Sequence, residues 1–241
     1  MDASDSFTPW PLRALGWPAA LLAAAAASLA LDLPVAQGCL AGGCPGELRK
    51  LLTFGETFGH GLGVAVIFVV VFQLDPPRRW ALPRLIACAA GCGLAADLLK
   101  TIVSRGRPGT LAEQQFDFGQ QVWATFQGWL PGWSAGYAGQ SFPSAHTATA
   151  IGLAAALTWS YPRGRWLFFA LAAVAGLQRV ECGAHFVSDV LAGAAIGALV
   201  APCFLRYGLL PAWFDRREAR RRGAAAHSPS LQTAVGGSAG P

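Results

Sequence analysis

His185 and Asp189 stand four residues apart, a spacing that places two side chains on one face of a helix. A carboxylate so placed can hold one imidazole nitrogen as a donor and leave the other free to attack an electrophile. A histidine simply hydrogen-bonded at a helix start has the same pattern, so the pair alone leaves both meanings open. Pro143-Ser144-Ala145-His146 suits a helix N-terminus, where unpaired N–H groups and the dipole favour an anion. Ordinary capping is the plainer meaning of Pro-Ser. Lys100, Arg107 and Arg179 offer three cations, and a phosphoryl group in transfer spreads its charge over three equatorial oxygens that fixed cations stabilise. Singly, each fits a snorkelling side chain at a helix end. Whether they act together depends on the elements that carry them.

Of 241 residues, 54% are hydrophobic and only 13% charged, with a mean hydropathy of +0.41. A soluble domain carries about twice that charge fraction. The deficit argues against a soluble enzyme, a disordered regulator and a nucleic-acid binder. The net charge of +5 does not reverse this, because the basic residues fall in short runs between apolar stretches. Six apolar segments read as membrane helices: Ala14 to Leu31, stopped by Asp32 and Pro34; Leu51 to Leu74; Trp80 to Val103; His146 to Tyr161, short but uncharged after its first residue; Trp166 to Val180; and Phe186 to Leu210. They lack the period-2 alternation of barrel strands. The acidic leader with Asp2 and Asp5 reads as preceding a retained helix and not a cleaved signal peptide.

The expected fold is therefore all-α, a polytopic bundle of six transmembrane helices. With the N-terminus inside, twelve Lys and Arg fall on the cytoplasmic side and six outside, which places both termini in the cytoplasm. Residues 1–210 form the membrane domain. Residues 211–241 read as a basic juxtamembrane segment, Arg216 to Arg222, followed by a disordered tail after Gly223.

Parity of the crossings gathers Lys100, Arg107, Pro143 to His146, Arg179, His185 and Asp189 on the outer face. Three cations gathered on one face beside both helix-starting histidines favour an anion site over three separate snorkelling ends. Cys39 and Cys44 fall in the first outer loop, where an oxidising compartment would permit a disulfide. Asp97 precedes Lys100 by three residues and can pair with it. Glu56 and His60 are four apart in the outer half of the second segment, where mutual neutralisation is expected. A long outer segment carries Phe116, Phe118, Trp123, Phe126, Trp129, Trp133 and Tyr137. These form either an interfacial belt or a lid through which an amphiphilic substrate enters from the bilayer.

Lys100 to Arg107-Pro108, Pro143-Ser144-Ala145-His146, and Arg179 to His185 to Asp189 resemble the three-part signature of the type-2 phosphatidic acid phosphatases. That superfamily includes bacterial acid phosphatases and vanadium haloperoxidases. Order and spacing agree: K-x6-RP, PSxH and R-x5-H-x3-D. Gln178 stands where the family usually has Ser, and Ala145 where it often has Gly, which leaves hydrogen bonds from these two positions to phosphate in question.

The resemblance implies an integral-membrane lipid phosphatase, a hydrolase of phosphate or diphosphate esters. His185 would be its nucleophile, Asp189 the residue orienting His185, and His146 the proton donor to the leaving oxygen. Lys100, Arg107, Ser144 and Arg179 would bind the phosphoryl oxygens. It implies no metal and no cofactor, a lipid phosphate and the bilayer as partners, no nucleic acid, and a bacterial inner (plasma) membrane with the site facing the periplasm or exterior. Undecaprenyl diphosphate, phosphatidate, phosphatidylglycerol phosphate and lipid A phosphate all remain open as substrates. A phosphotransferase between lipids needs the same residues and is the closest alternative. A transporter should instead show midplane helix breaks and internal repeats.

Overall fold

Apolar runs in lipid must satisfy their own backbone, and helices do so. The computed structural model describes residues 11–226 apart from Trp133 and Ala135. The acidic leader, Trp133 of the aromatic segment and the tail from 227 onward lie outside the described residues. Its helices are α1 (Gly16–Leu40), α2 (Gly46–Gly55), α3 (Gly61–Leu74), α4 (Leu82–Lys100), α5 (Pro108–Glu113), α6 (Ala145–Ser160), α7 (Arg165–Glu181), α8 (Val187–Leu205) and α9 (Leu209–Ala226).

Several expected boundaries move, each for a physical reason. The first helix does not stop at Asp32 and Pro34 but runs on to Leu40. Asp32 is fully buried and ion-paired, so it does not need to leave the helix for water. The second segment is broken: α2 and α3 meet at 67°. At the break, a Cβ added to Gly59 would lie 2.7 Å from the His146 carbonyl oxygen, and one on Gly63 would lie 1.9 Å from that of Thr57. Only glycine permits either approach. The third helix ends at Lys100, and Val103–Arg105 (β1) pairs antiparallel with Phe126–Trp129 (β2), so the fold is mostly helical and not all-α. The last membrane helix ends at Leu205, and Gly208, at φ +88°, turns the chain into α9. The basic run is thus helical, and helix extends past Gly223 to Ala226.

Gly16–Leu40, Pro76–Lys100 and Val187–Leu205 are long and apolar enough to cross a membrane, and α2 with α3 makes a fourth if the bent pair is one span. Among the described residues, three or four such helices thus stand against the six expected crossings. α6 and α7 have 16 and 17 residues, roughly 24 and 26 Å against a hydrocarbon layer of about 30 Å. The protein is a mostly helical, multi-pass membrane protein.

Its interior is built on close contact between α4, α6 and α8, with α1 packed on α8 and α7 on α6. Small residues allow this approach. Gly152 faces Cys92, and Gly197 faces the Ala148 carbonyl. Cys88 and Cys92 are buried in the same core, and all six cysteines are free thiols, Cys39 and Cys44 included. Charged groups gather at the two ends of the bundle. At one end Arg84, 2% exposed, pairs with Asp215 and with Glu218 of α9 at 2.9 Å, and Asp75 accepts from Tyr161 and Arg78. The other end holds the expected site.

Candidate active site

The ends of four helices bring the expected residues together. Lys100 closes α4, Ser144 caps α6 with His146 in its first turn, Arg179 lies in the last turn of α7, and Asp189 lies in the first turn of α8. Antiparallel neighbours joined in this order necessarily present these ends on one side. Backbone bonds tie them: the Ser144 N–H donates to the Asp189 carbonyl at 3.0 Å, and the Gly109 N–H to that of Gly183 at 2.8 Å.

Arg107 precedes α5 and is 6% exposed. Its guanidinium donates to the carbonyls of Tyr137, Ala184 and Gln140. These neutral acceptors fix the side chain and leave its charge uncompensated. Its Nη1 lies 3.5 Å from His185 Nε2. Lys100 pairs with Asp97 at 3.1 Å, as their spacing predicted. Arg179 donates from Nη1 to Glu56 at 2.6 Å and to Gln178 at 3.2 Å. Its buried Nε has no partner among the described residues. A buried donor left unpaired is costly, and an oxyanion would satisfy it.

Glu56 therefore neutralises Arg179, and is not mutually paired with His60 as expected. His60 caps α3, its Nδ1 accepting from the Leu62 N–H at 3.3 Å, and its ring lies 5.9 Å from that of His146. Ser144 does cap its helix, accepting from the N–H and the hydroxyl of Thr147.

The expected contact between His185 and Asp189 takes another form. His185 lies before α8, not on it, so the i, i+4 face is never formed. Its Nδ1 is 2.7 Å from the Ser141 carbonyl oxygen and 3.9 Å from Asp189 Oδ2. A carbonyl only accepts, so Nδ1 carries the proton and Nε2 keeps its lone pair facing Arg107. Burial, only partly offset by Asp189, lowers the His185 pKa to about 4, so the ring is neutral near pH 7. Asp189 Oδ2 accepts from the Ser141 hydroxyl and the Phe186 N–H, and Oδ1 from Arg105. Arg105 also pairs with Asp32 at 2.7 Å, all with no exposure. Asp32, Arg105 and Ser141 were not among the expected site residues. An aspartate within an apolar run was the available signal.

The aromatic segment covers this end. Tyr137 stacks on Arg107 at 3.9 Å and Phe126 on Arg105 at 4.6 Å, while Trp123 and Trp129 are 63% and 78% exposed. Between α3 and α4 lies an apolar groove of about 680 Å³, lined by Val64, Phe68, Phe72, Ile86 and Leu94, and reaching Gly59, Asp97 and Thr149. Its Gly59 end abuts His146, and Asp97 holds Lys100. Among the described residues, no group of three or more His, Cys, Asp or Glu is arranged to hold a metal.

This chain is similar to the lipid A 1-phosphatases of Rhizobium johnstonii and Rhizobium etli, at 41% and 36% identity. The similarity covers 49% and 54% of this chain and 46% and 53% of theirs, so the chain spans about half the length of the curated relatives it matches. Two crystal structures share its fold. LpxE from Aquifex aeolicus is 21% identical over 73% of this chain and 96% of that one, with a TM-score of 0.52. The transmembrane PAP2 type phosphatidylglycerolphosphate phosphatase from Bacillus subtilis is 19% identical over 80% and 93%, with a TM-score of 0.54. The sequence profile of the PAP2 superfamily matches residues 81–210, more than half of the chain and every charged motif position discussed above, and the protein belongs to that superfamily.

Proposed function

We propose that the protein is a membrane lipid phosphatase that removes phosphate from a glycolipid of the lipid A class. One arrangement carries this: Arg107 lies 3.5 Å from the free Nε2 of a neutral histidine, and Lys100 and Arg179, buried at the same end of the bundle and the latter with an orphaned Nε, stand beside an apolar groove that reaches Asp97 and Gly59. The cations bind a phosphoryl group, and the groove takes a hydrocarbon chain beside His146, where the leaving oxygen would lie. The names of the Rhizobium relatives favour lipid A among the amphiphilic phosphates.

In this mechanism His185 Nε2 attacks phosphorus as the bond to the lipid oxygen breaks, and His146 donates its proton to that oxygen. The ring becomes a phosphoimidazolium, whose charge the Asp189 carboxylate offsets from 3.9 Å. Water, deprotonated by His146, then attacks phosphorus, the phosphorus–nitrogen bond breaks, and phosphate leaves. Lys100, Arg107 and Arg179 stabilise the equatorial oxygens. Ser144 uses its oxygen as a cap and keeps its O–H for the phosphate. These cations supply the charge neutralisation that a metal would otherwise provide. We place the site on the extracytoplasmic face of a bacterial inner membrane, with six crossings by residues 1–210, the short α6 and α7 included, and both termini cytoplasmic. The twelve-to-six distribution of basic residues supports that orientation.

The test is phosphate release by the purified protein from lipid A, phosphatidate, phosphatidylglycerol phosphate and undecaprenyl diphosphate in mixed micelles. Turnover is expected to be fastest on lipid A, with free phosphate as product. No release above a His185→Ala control from any of the four would overturn the proposal, and label appearing in a second lipid would mark a phosphotransferase.

A further inference from the structure

Asp189 accepts no bond from the histidine it is expected to orient. Its Oδ2 takes the Ser141 hydroxyl at 2.6 Å, and the same serine's carbonyl accepts from His185 Nδ1 at 2.7 Å. The carboxylate thus reaches the nucleophile through a serine. What holds the carboxylate lies further back. Arg105 Nη1 donates to Asp189 Oδ1 at 2.5 Å and its Nη2 to Asp32 Oδ2 at 2.7 Å, while Nε donates to the Thr125 hydroxyl at 3.0 Å. Ser188 closes the ring: its hydroxyl donates to Asp32 and accepts from Arg105, and its N–H donates to Asp32 Oδ1. The rings of Phe126 and Phe186 pack on the guanidinium at 4.6 and 4.2 Å.

Asp32, Arg105 and Asp189 have no exposure. Two carboxylates and one guanidinium sealed from water leave one net negative charge. Apolar side chains of similar volume would serve packing as well or better. The arrangement does something packing cannot: each oxygen of Asp189 is given a separate donor, so that Oδ2 remains turned toward Ser141. Asp32 comes from α1, a helix that contributes no other group to the site, and lies 73 residues before Arg105.

We infer that Asp32 and Arg105 are positioning residues that fix Asp189, and through it the Ser141 carbonyl, so that His185 is held as the Nδ1-protonated tautomer with Nε2 free to attack. The inference rests on the proposed role of His185 for its catalytic consequence, but its structural content does not. Without Asp32 the guanidinium can swing onto Asp189 alone and engage both carboxylate oxygens. Ser141 then loses its acceptor, and His185 is no longer confined to one tautomer.

The experiment uses the full chain, labelled with ¹⁵N-histidine, as wild type, Asp32→Asn and Ser188→Ala, with His185→Asn to assign the His185 signals. The wild type is expected to show a single neutral Nδ1–H ring at neutral pH. Asp32→Asn should show a mixture of tautomers, with kcat down roughly tenfold, the scale on which partners behind a functional histidine act, and KM for the lipid phosphate within about twofold. Ser188→Ala keeps every charge and should shift the signals in the same direction by less; it carries the test if Asp32→Asn does not fold. A folded variant with the wild-type spectrum would overturn the inference, as would an unchanged kcat beside an altered spectrum. Should the wild type release no phosphate, the phosphatase proposal fails while the spectra still decide the positioning.

Discussion

Gly193 lies on α8 one turn beyond Asp189, where the helix crosses the start of α6. A Cβ built on it would sit 2.3 Å from the Ser144 carbonyl oxygen and 3.1 Å from its carbon. Real Cβ contacts are essentially never under 3.0 Å, so in Gly193→Ala the two backbones must part from 2.3 Å to at least that distance. The clash is with a main-chain carbonyl, so no side chain can swing away to relieve it. The displaced carbonyl belongs to the cap of α6, whose N–H is bonded to the Asp189 carbonyl, and His146 follows two residues later. A shift approaching 1 Å between the proton donor and the nucleophile's support is expected to lower kcat about a hundredfold. The assay is steady-state phosphate release in detergent micelles, with folding checked by gel filtration and circular dichroism. Gly38→Ala is the control: Gly38 lies in α1 with nothing within 4 Å of an added Cβ, so its kcat should be unchanged and its stability higher by about 0.5–1 kcal/mol. A folded Gly193→Ala protein with kcat within about threefold of wild type would refute the claim that this close approach sets the site.

Three further outcomes are expected. The His185 ring, lowered by burial from 6.5 to about 4, stays neutral and nucleophilic until the pH falls through that value. The acid limb of kcat/KM, corrected for ionisation of the substrate phosphate, should therefore lie near pH 4, and a limb near 6.5 would contradict a buried nucleophile. Activity should survive a chelator such as EDTA and be inhibited competitively by vanadate, which mimics five-coordinate phosphorus; vanadate without effect at millimolar concentration would remove the phosphate-pocket assignment. At the opposite end of the bundle, Arg84→Met breaks a pair whose side chains are 2% and 6% exposed. It should cost about 3 kcal/mol, seen as a lower apparent Tm, with KM unchanged.

The charged motif positions were legible because charge is rare in this chain. Lys100, Arg107 and Arg179 stand out where few residues are ionised, and helix parity alone brings them to one end. Asp32 carries the same signal, but Pro34 two residues on ordinarily marks a helix boundary and makes the pair look like a stop. Its partner Arg105 is distant in sequence, and only tertiary packing reveals that the helix continues. Glu56 looked paired with His60 because helical spacing assumes an unbroken helix. The break at Gly59 and His60 turns one toward Arg179 and the other toward His146. Ser141 was invisible because it acts through a carbonyl and a hydroxyl, groups with no distinctive sequence pattern. The short α6 and α7 were legible too: the apolar runs His146 to Tyr161 and Trp166 to Val180 match Ala145–Ser160 and Arg165–Glu181 to within one residue at each end.

Rapid acid or base quenching of the protein turning over ³²P-labelled lipid phosphate shows whether His185 becomes covalently phosphorylated. A base-stable, acid-labile phosphoenzyme is expected to form before free phosphate appears, to map to His185 and to be absent from His185→Ala. Release of phosphate at the wild-type rate by His185→Ala, with no phosphoenzyme trapped in either protein, would contradict it.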